Sequence, residues 1–79
     1  MRWQTMIKRF FQLQRKNIAL VQFIIEGYSR MATVKTVDSR VAVIQISIMP
    51  DFVSEMSGLM DYLKGEYKLK EINDYQEKN

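Results

Sequence analysis

Between residues 41 and 48 the chain alternates. Ala42, Ile44, Ile46 and Ile48 share one parity, and Val41, Val43, Gln45 and Ser47 share the other. A period of two with one strongly apolar side predicts a β-strand over Val41–Ile48. Ala32 to Thr36 is a second run rich in Val and Thr, and Asp38-Ser39-Arg40 between the two holds turn-favouring residues. The two runs therefore predict a hairpin. After it the period changes. Pro50-Asp51 is followed by Phe52, Met56, Leu59, Met60 and Leu63, a spacing of three and four that predicts a helix over residues 51–64. Pro suits the first turn of a helix and an early Asp complements its dipole. Gly65 is the expected stop. Gly58 falls inside the helix, where it costs about 1 kcal/mol relative to Ala; close packing against a sheet is the expected reason for it. Tyr67 to Ile72 reads as a short last strand. Asn73 to Asn79 is a polar tail with Tyr75 as its apolar anchor.

Met6 to Ile25 contains no acidic residue, no Gly and no Pro. Asn17 is placed to cap a helix over residues 17–27 that carries Ile18, Val21, Ile24, Ile25 and Tyr28, with Gly27 at its end. Leu20 and Phe23 widen its apolar stripe beyond one core-facing side. The preceding stretch fits two periods. Trp3, Met6, Ile7, Phe10 and Phe11 match a basic amphipathic helix, with Arg2, Lys8, Arg9 and Gln12 opposite. Ile7, Phe11 and Leu13 match one face of a strand, with Arg9 as the exception. Fold completeness decides for the strand, because a hairpin plus one short strand leaves an open three-stranded sheet. A fourth strand gives β-α-β-β-α-β, a ferredoxin-like α+β sandwich with strand order 4-1-3-2 and both helices on one face. Residues 1–72 then form one domain, and 73–79 a flexible, dispensable tail.

Length and charge narrow the function classes. At 79 residues and 47% hydrophobic the chain is globular but has a small core, so it gains more than most from a staple or a partner. It has no Cys and no His, which removes disulfides, soft metal sites and the commonest catalytic base and nucleophile. Asp51 and Glu55 share a helical face, but two carboxylates are too few for calcium. The three glycines are isolated, so no phosphate loop exists. The expectation is a non-enzymatic chain without cofactor or metal. Lys8 and Arg9 interrupt any signal-peptide core, and Ile18–Ile25 is far shorter than a membrane span of roughly 20 residues. A cytoplasmic, non-membrane protein is expected. Residues 1–40 carry eight basic and two acidic groups, whereas 41–79 carry four basic and seven acidic. Such polarity can steer a partner or pair two copies.

The stretch "NIALVQFIIEGYSRMATVKTVDSRVAVIQISIMPDFVSEMSGLMDYLKGEY" resembles an uncharacterised bacterial family of short single-domain proteins known as a domain of unknown function. The helix ending in Ile25-Glu26-Gly27-Tyr28, the run Ala32-Thr33-Val34-Lys35-Thr36-Val37-Asp38, the second strand, the Pro-started helix and the last strand carry the likeness, over roughly residues 7–72. The resemblance implies a ferredoxin-like, ACT-like fold and no particular activity. The hairpin turn is shorter here than is usual in that family.

Three contact surfaces follow. Arg15, Lys16 and Asn17 sit where the first strand meets the first helix, and two cations beside free helix N–H groups suit a small anionic ligand. ACT domains bind ligands near the corresponding loop, through a Gly-containing pattern that is absent here. Nucleic acid is a second reading. Phe10 stands beside Lys8 on the sheet's outer face, and Arg15, Lys16, Arg30, Lys35 and Arg40 are candidates for phosphates, yet the third strand has no aromatic for stacking. The third reading is self-association, and it is the one the pattern favours. Phe10, Val41 and Val43 should form an apolar centre on the sheet face away from the helices, inside a rim of Thr33 and Lys35. Leu20 and Phe23 are the next candidate interface. The expected partner is a second copy of the chain.

Overall fold

The computed structural model describes residues 6–75. The elements run in the expected order: β1 (Ile7–Gln12), α1 (Ile18–Glu26), β2 (Ala32–Asp38), β3 (Val43–Ile48), α2 (Val53–Glu66) and β4 (Lys70–Ile72). Short 3-10 turns at Arg15–Asn17 and Pro50–Phe52 lead into the two helices. The strands form one sheet in the order β2-β3-β1-β4, with every neighbouring pair antiparallel. The stretch Ile7–Gln12 is therefore a strand and not helical, and the ferredoxin-like arrangement holds. Trp3 and Arg2, which the helical alternative needed, lie outside the described residues.

Register fixes which side chains share a face. Phe11 pairs with Ile44 and with Glu71, Arg9 with Ile46, and Val34 with Ile46. These rows face the helices. Phe11, Ile44, Ile46 and Ile48 join Val21 and Ile25 of α1 and Met56, Met60 and Leu63 of α2 in one core cluster. Both helices thus cover the same side of the sheet, as two right-handed crossovers require. No helix among the described residues is long and apolar enough to cross a membrane.

Arg9 is the polar exception on the inner face, and its partner explains it. Its Nε and Nη2 donate to the Glu71 carboxylate at 2.8 and 2.7 Å, and Lys64 Nζ lies 3.6 Å from the same group. The guanidinium also lies 5.5 Å from the Phe11 ring centroid. A charge at the rim of the core is tolerated when it is paired and stacked.

Several local expectations change. β3 begins at Val43, because Ala42 adopts a left-handed φ of 56° that ends the alternation. Val41 therefore belongs to the β2–β3 turn. Asp38 holds that turn by accepting from the backbone N–H of Arg40 and Val41 at 3.0 and 3.4 Å. α2 runs through Gly65 to Glu66. A Cβ at Gly58 or Gly65 would meet nothing within 4 Å, so close packing does not account for Gly58. β4 is shortened to three residues, preceded by Lys68 at φ 56°. The tail is docked as far as Tyr75, whose ring centroid lies 4.8 Å from that of Phe10; residues 76–79 lie outside the described part.

Candidate interaction surfaces

The sheet face away from the helices is built by three rows of paired residues. Lys35, Gln45, Phe10 and Ile72 form one row; Thr33, Ser47 and Lys8 form the next; Val43, Gln12 and Lys70 form the third. Here the sequence expectation of an apolar centre changes. Val43 is on this face but is 2% exposed within the single chain. Phe10 is half-buried and covered by Tyr75. Val41, 47% exposed, lies in the turn and not on a strand. What the face presents instead is cationic. Lys8, Lys35 and Lys70 all belong to it; of the carboxylates near it, Asp38 is engaged by the turn, and exposed Asp74 directly precedes Tyr75. The carboxylates Glu26, Asp51, Glu55, Asp61, Glu66 and Glu71 belong to the helical side. The half-chain asymmetry of the sequence thus becomes, in part, a division between the two sides of the sheet. Lys8, Lys35 and Lys70 lie far apart in the chain and share this face only through strand pairing, so their convergence has no local sequence signal.

At the middle of that face sits Gln45, 4% exposed. Its Nε2 donates to Ser47 Oγ at 2.9 Å. Its Oε1 is buried and has no hydrogen-bond partner. A buried amide oxygen without a donor is an exception that calls for an explanation.

The outward side of α1 is the second surface. Val21 and Ile25 point into the core, which leaves Ala19, Leu20 and Phe23 on the other side. Leu20 is 46% and Phe23 74% exposed. No charged side chain interrupts this patch between Lys16 and Glu26.

The turn entering α1 is the third surface. Arg15, Lys16 and Asn17 are together there, but not as a free cationic pocket. Arg15 Nη2 donates to the backbone carbonyls of Ser39 and Arg40 at 3.1 and 2.9 Å, tying the turn to the β2–β3 hairpin. Asn17 makes no capping bond with its side chain, because the 3-10 turn starts earlier, at the extended Gln14. Lys16 is exposed. A separate shallow recess of about 120 Å³ lies at the α1–β2 turn, lined by residues from Gly27 to Met31.

Among the described residues no group of three or more acidic, His or Cys side chains could hold a metal ion. The Arg9–Glu71 pair perturbs both of its members. Its hydrogen bonds raise Arg9 above the ordinary arginine value and hold Glu71 below the ordinary carboxylate value, against a smaller opposing effect of burial. The pair lies at the β1–β4 edge under α2, away from the three surfaces, and its role is structural. Sequence reasoning missed Gln45 and Tyr75 as members of a surface. The polar Gln45-x-Ser47 parity was a visible sign that the outer face is not apolar.

A sequence family described as a domain of unknown function, DUF4911, matches residues 11–66. No curated protein and no solved structure matches the chain.

Proposed function

The chain belongs to the DUF4911 family, and from its surfaces we propose that it is a non-enzymatic assembly module that pairs with a second copy through the outward side of α1. The observation that carries this reading is the exposure of Phe23, 74%, beside Leu20 on an uncharged helix face. Exposed aromatic and aliphatic side chains at i and i+3 form the kind of patch that associating helices bury.

The charges at the ends of α1 choose the occupant. Lys16 stands at the N-terminus and Glu26 at the C-terminus. In an antiparallel pair centred between positions 20 and 23, Leu20 of one copy meets Phe23 of the other. Glu26 then lies opposite the Asn17–Lys16 end of the facing helix, and the two helix dipoles oppose each other. The patch is therefore complementary to itself, as a two-fold interface requires. The outer sheet face is less suited to this role, since a two-fold there would set three lysines against three with little free apolar area to offset them. A small-anion site at Arg15, Lys16 and Asn17 has less support, because the Arg15 guanidinium is already committed to the hairpin carbonyls.

Burying Leu20 and Phe23 on both copies contributes roughly 5–8 kcal/mol before the loss of translational freedom is charged against it. The dimer is accordingly a weak one. Sedimentation equilibrium at concentrations up to about 1 mM is expected to give a mass rising towards twice that of the chain. Phe23→Lys, at a position the monomer leaves exposed, is expected to stay folded and monomeric. A wild-type chain that remains monomeric, or a variant that associates equally well, overturns the reading.

A further inference from the structure

We propose that the sheet face away from the helices binds single-stranded nucleic acid, with Lys8, Lys35 and Lys70 on phosphates, Phe10 and Tyr75 against bases, and Gln45 offering its amide oxygen to a base edge. This goes beyond the assembly role and does not depend on it, since α1 lies on the opposite side of the sheet.

Three independent observations meet on this face. The first is charge. The three lysines come from three strands, and the carboxylates of the helices and of Glu71 lie on the other side of the sheet. With strands about 4.8 Å apart, Lys70 on β4 and Lys35 on β2 are separated laterally by roughly 14 Å, a span that a few nucleotides cover. A predominantly cationic face, with Asp38 tied into the turn and Asp74 at its edge, attracts a polyanion and disfavours another copy of itself.

The second observation is aromatic. Phe10 and Tyr75 stack at 4.8 Å with their ring planes 32° apart, and Phe10 pairs directly with Gln45 on the central strand. Phe10 lies within the cationic strip, flanked along β1 by Lys8 and Gln12. Aromatic rings inside a basic groove are what sequence-tolerant binding of single strands uses, because every base has a π-face. Duplexes hide those faces.

The third observation points to a ligand most directly. Gln45 is 4% exposed and its Oε1 has no donor. Its cross-strand neighbours are Phe10 and Lys35. Lys35 is exposed and free to change rotamer, and recognition requires that such a movement uncover the amide to a base. An exocyclic amine or ring N–H of that base then supplies the missing hydrogen bond. Neither a vesicle surface nor an acidic peptide side chain presents such a flat donor edge for stacking beside Phe10.

Fluorescence anisotropy with a labelled oligouridine of about 12 nucleotides tests this on the full chain. Binding is expected, with log affinity falling against log salt with a slope of about −2, the value for three phosphates on a single strand. Lys35→Glu is expected to reduce affinity at least about tenfold, and Phe10→Leu, which keeps an apolar side chain but removes the ring, by roughly the same factor. Gln45→Leu is expected to raise the melting temperature by removing an unpaired buried oxygen and to weaken binding several-fold. Absence of binding at about 50 mM salt overturns the proposal. So does equal affinity for a duplex of the same length, or an affinity unchanged by Phe10→Leu. Equal competition by a polyglutamate peptide or by anionic vesicles makes the face a general polyanion surface and overturns it too. If Gln45→Leu raises stability while binding is unchanged, the amide has no part in recognition.

Discussion

Replacing Glu71 by Gln isolates the ion pair that closes the β1–β4 edge. Glu71 accepts two short bonds from Arg9, at 2.8 and 2.7 Å, and has Lys64 at 3.6 Å. The side chains of Arg9 and Glu71 are 31% and 24% exposed, so water screens the pair only in part. Gln keeps the shape but turns one acceptor into a donor that faces the guanidinium. The loss is expected to be about 1–2 kcal/mol, the range for hydrogen bonds to a charged group reduced for partial exposure. For a domain of this size that lowers the melting temperature by roughly 5–15 °C. The sign with pH follows from the direction of the shift. The folded-state pKa of Glu71 lies below its ordinary value because of Arg9. Its contribution is therefore complete above the unfolded carboxylate pKa, about 4.3, and fades as pH falls through the lower folded value. Arg9, raised further above the ordinary arginine value by Glu71, adds no pH dependence in an accessible range. Urea unfolding followed by far-UV circular dichroism at about pH 7 and about pH 3 gives both quantities. A variant within about 0.5 kcal/mol of wild type at neutral pH, or one that loses as much stability on acidification as wild type, refutes the reasoning.

Gly58→Ala and Gly65→Ala are each expected to raise stability by about 0.5–1 kcal/mol in the same unfolding assay, because both positions are helical and a Cβ meets nothing. Lys68→Gly should stabilise slightly, by up to roughly 1 kcal/mol, since it relieves a left-handed conformation at an exposed position; a clear loss contradicts the assigned backbone. Tyr75→Ala removes the ring stacked on Phe10 and should cost about 0.5–1.5 kcal/mol by thermal denaturation, whereas an unchanged melting temperature means that the tail does not dock.

The elements were legible where one period dominates. Ile44, Ile46 and Ile48 gave β3, Met56, Met60 and Leu63 gave α2, and the count of strands forced β1 despite Arg9. What the sequence hid depends on partners far along the chain or on single backbone angles. Glu71, 62 residues from Arg9, reaches it only once β1 and β4 are paired, so Arg9 looked like a flaw in the pattern. Ala42 is an ordinary residue in a run of ordinary strand formers, and nothing local announces its left-handed φ. That one angle moved Val41 off the sheet and out of the expected interface. Gly58 was misread because the packing expectation assumed that a helical glycine faces a neighbour, whereas it faces solvent. Of the candidate surfaces, Leu20 and Phe23 were visible as a stripe too wide for one core. The cationic outer face was visible only as a charge imbalance between the two halves of the chain.

The assembly claim rests on two copies of α1 running antiparallel, with Lys16 facing Glu26. Sedimentation equilibrium of Lys16→Glu, Glu26→Lys and the double exchange tests that arrangement most directly. Each single variant sets like charges at both ends of the helix pair and is expected to weaken the dimer several-fold, by an amount that shrinks as salt is added. The double exchange restores opposite charges and is expected to return the affinity to that of wild type. A double variant that associates no better than the single ones, or single variants that associate as wild type does, contradicts the antiparallel α1 pair.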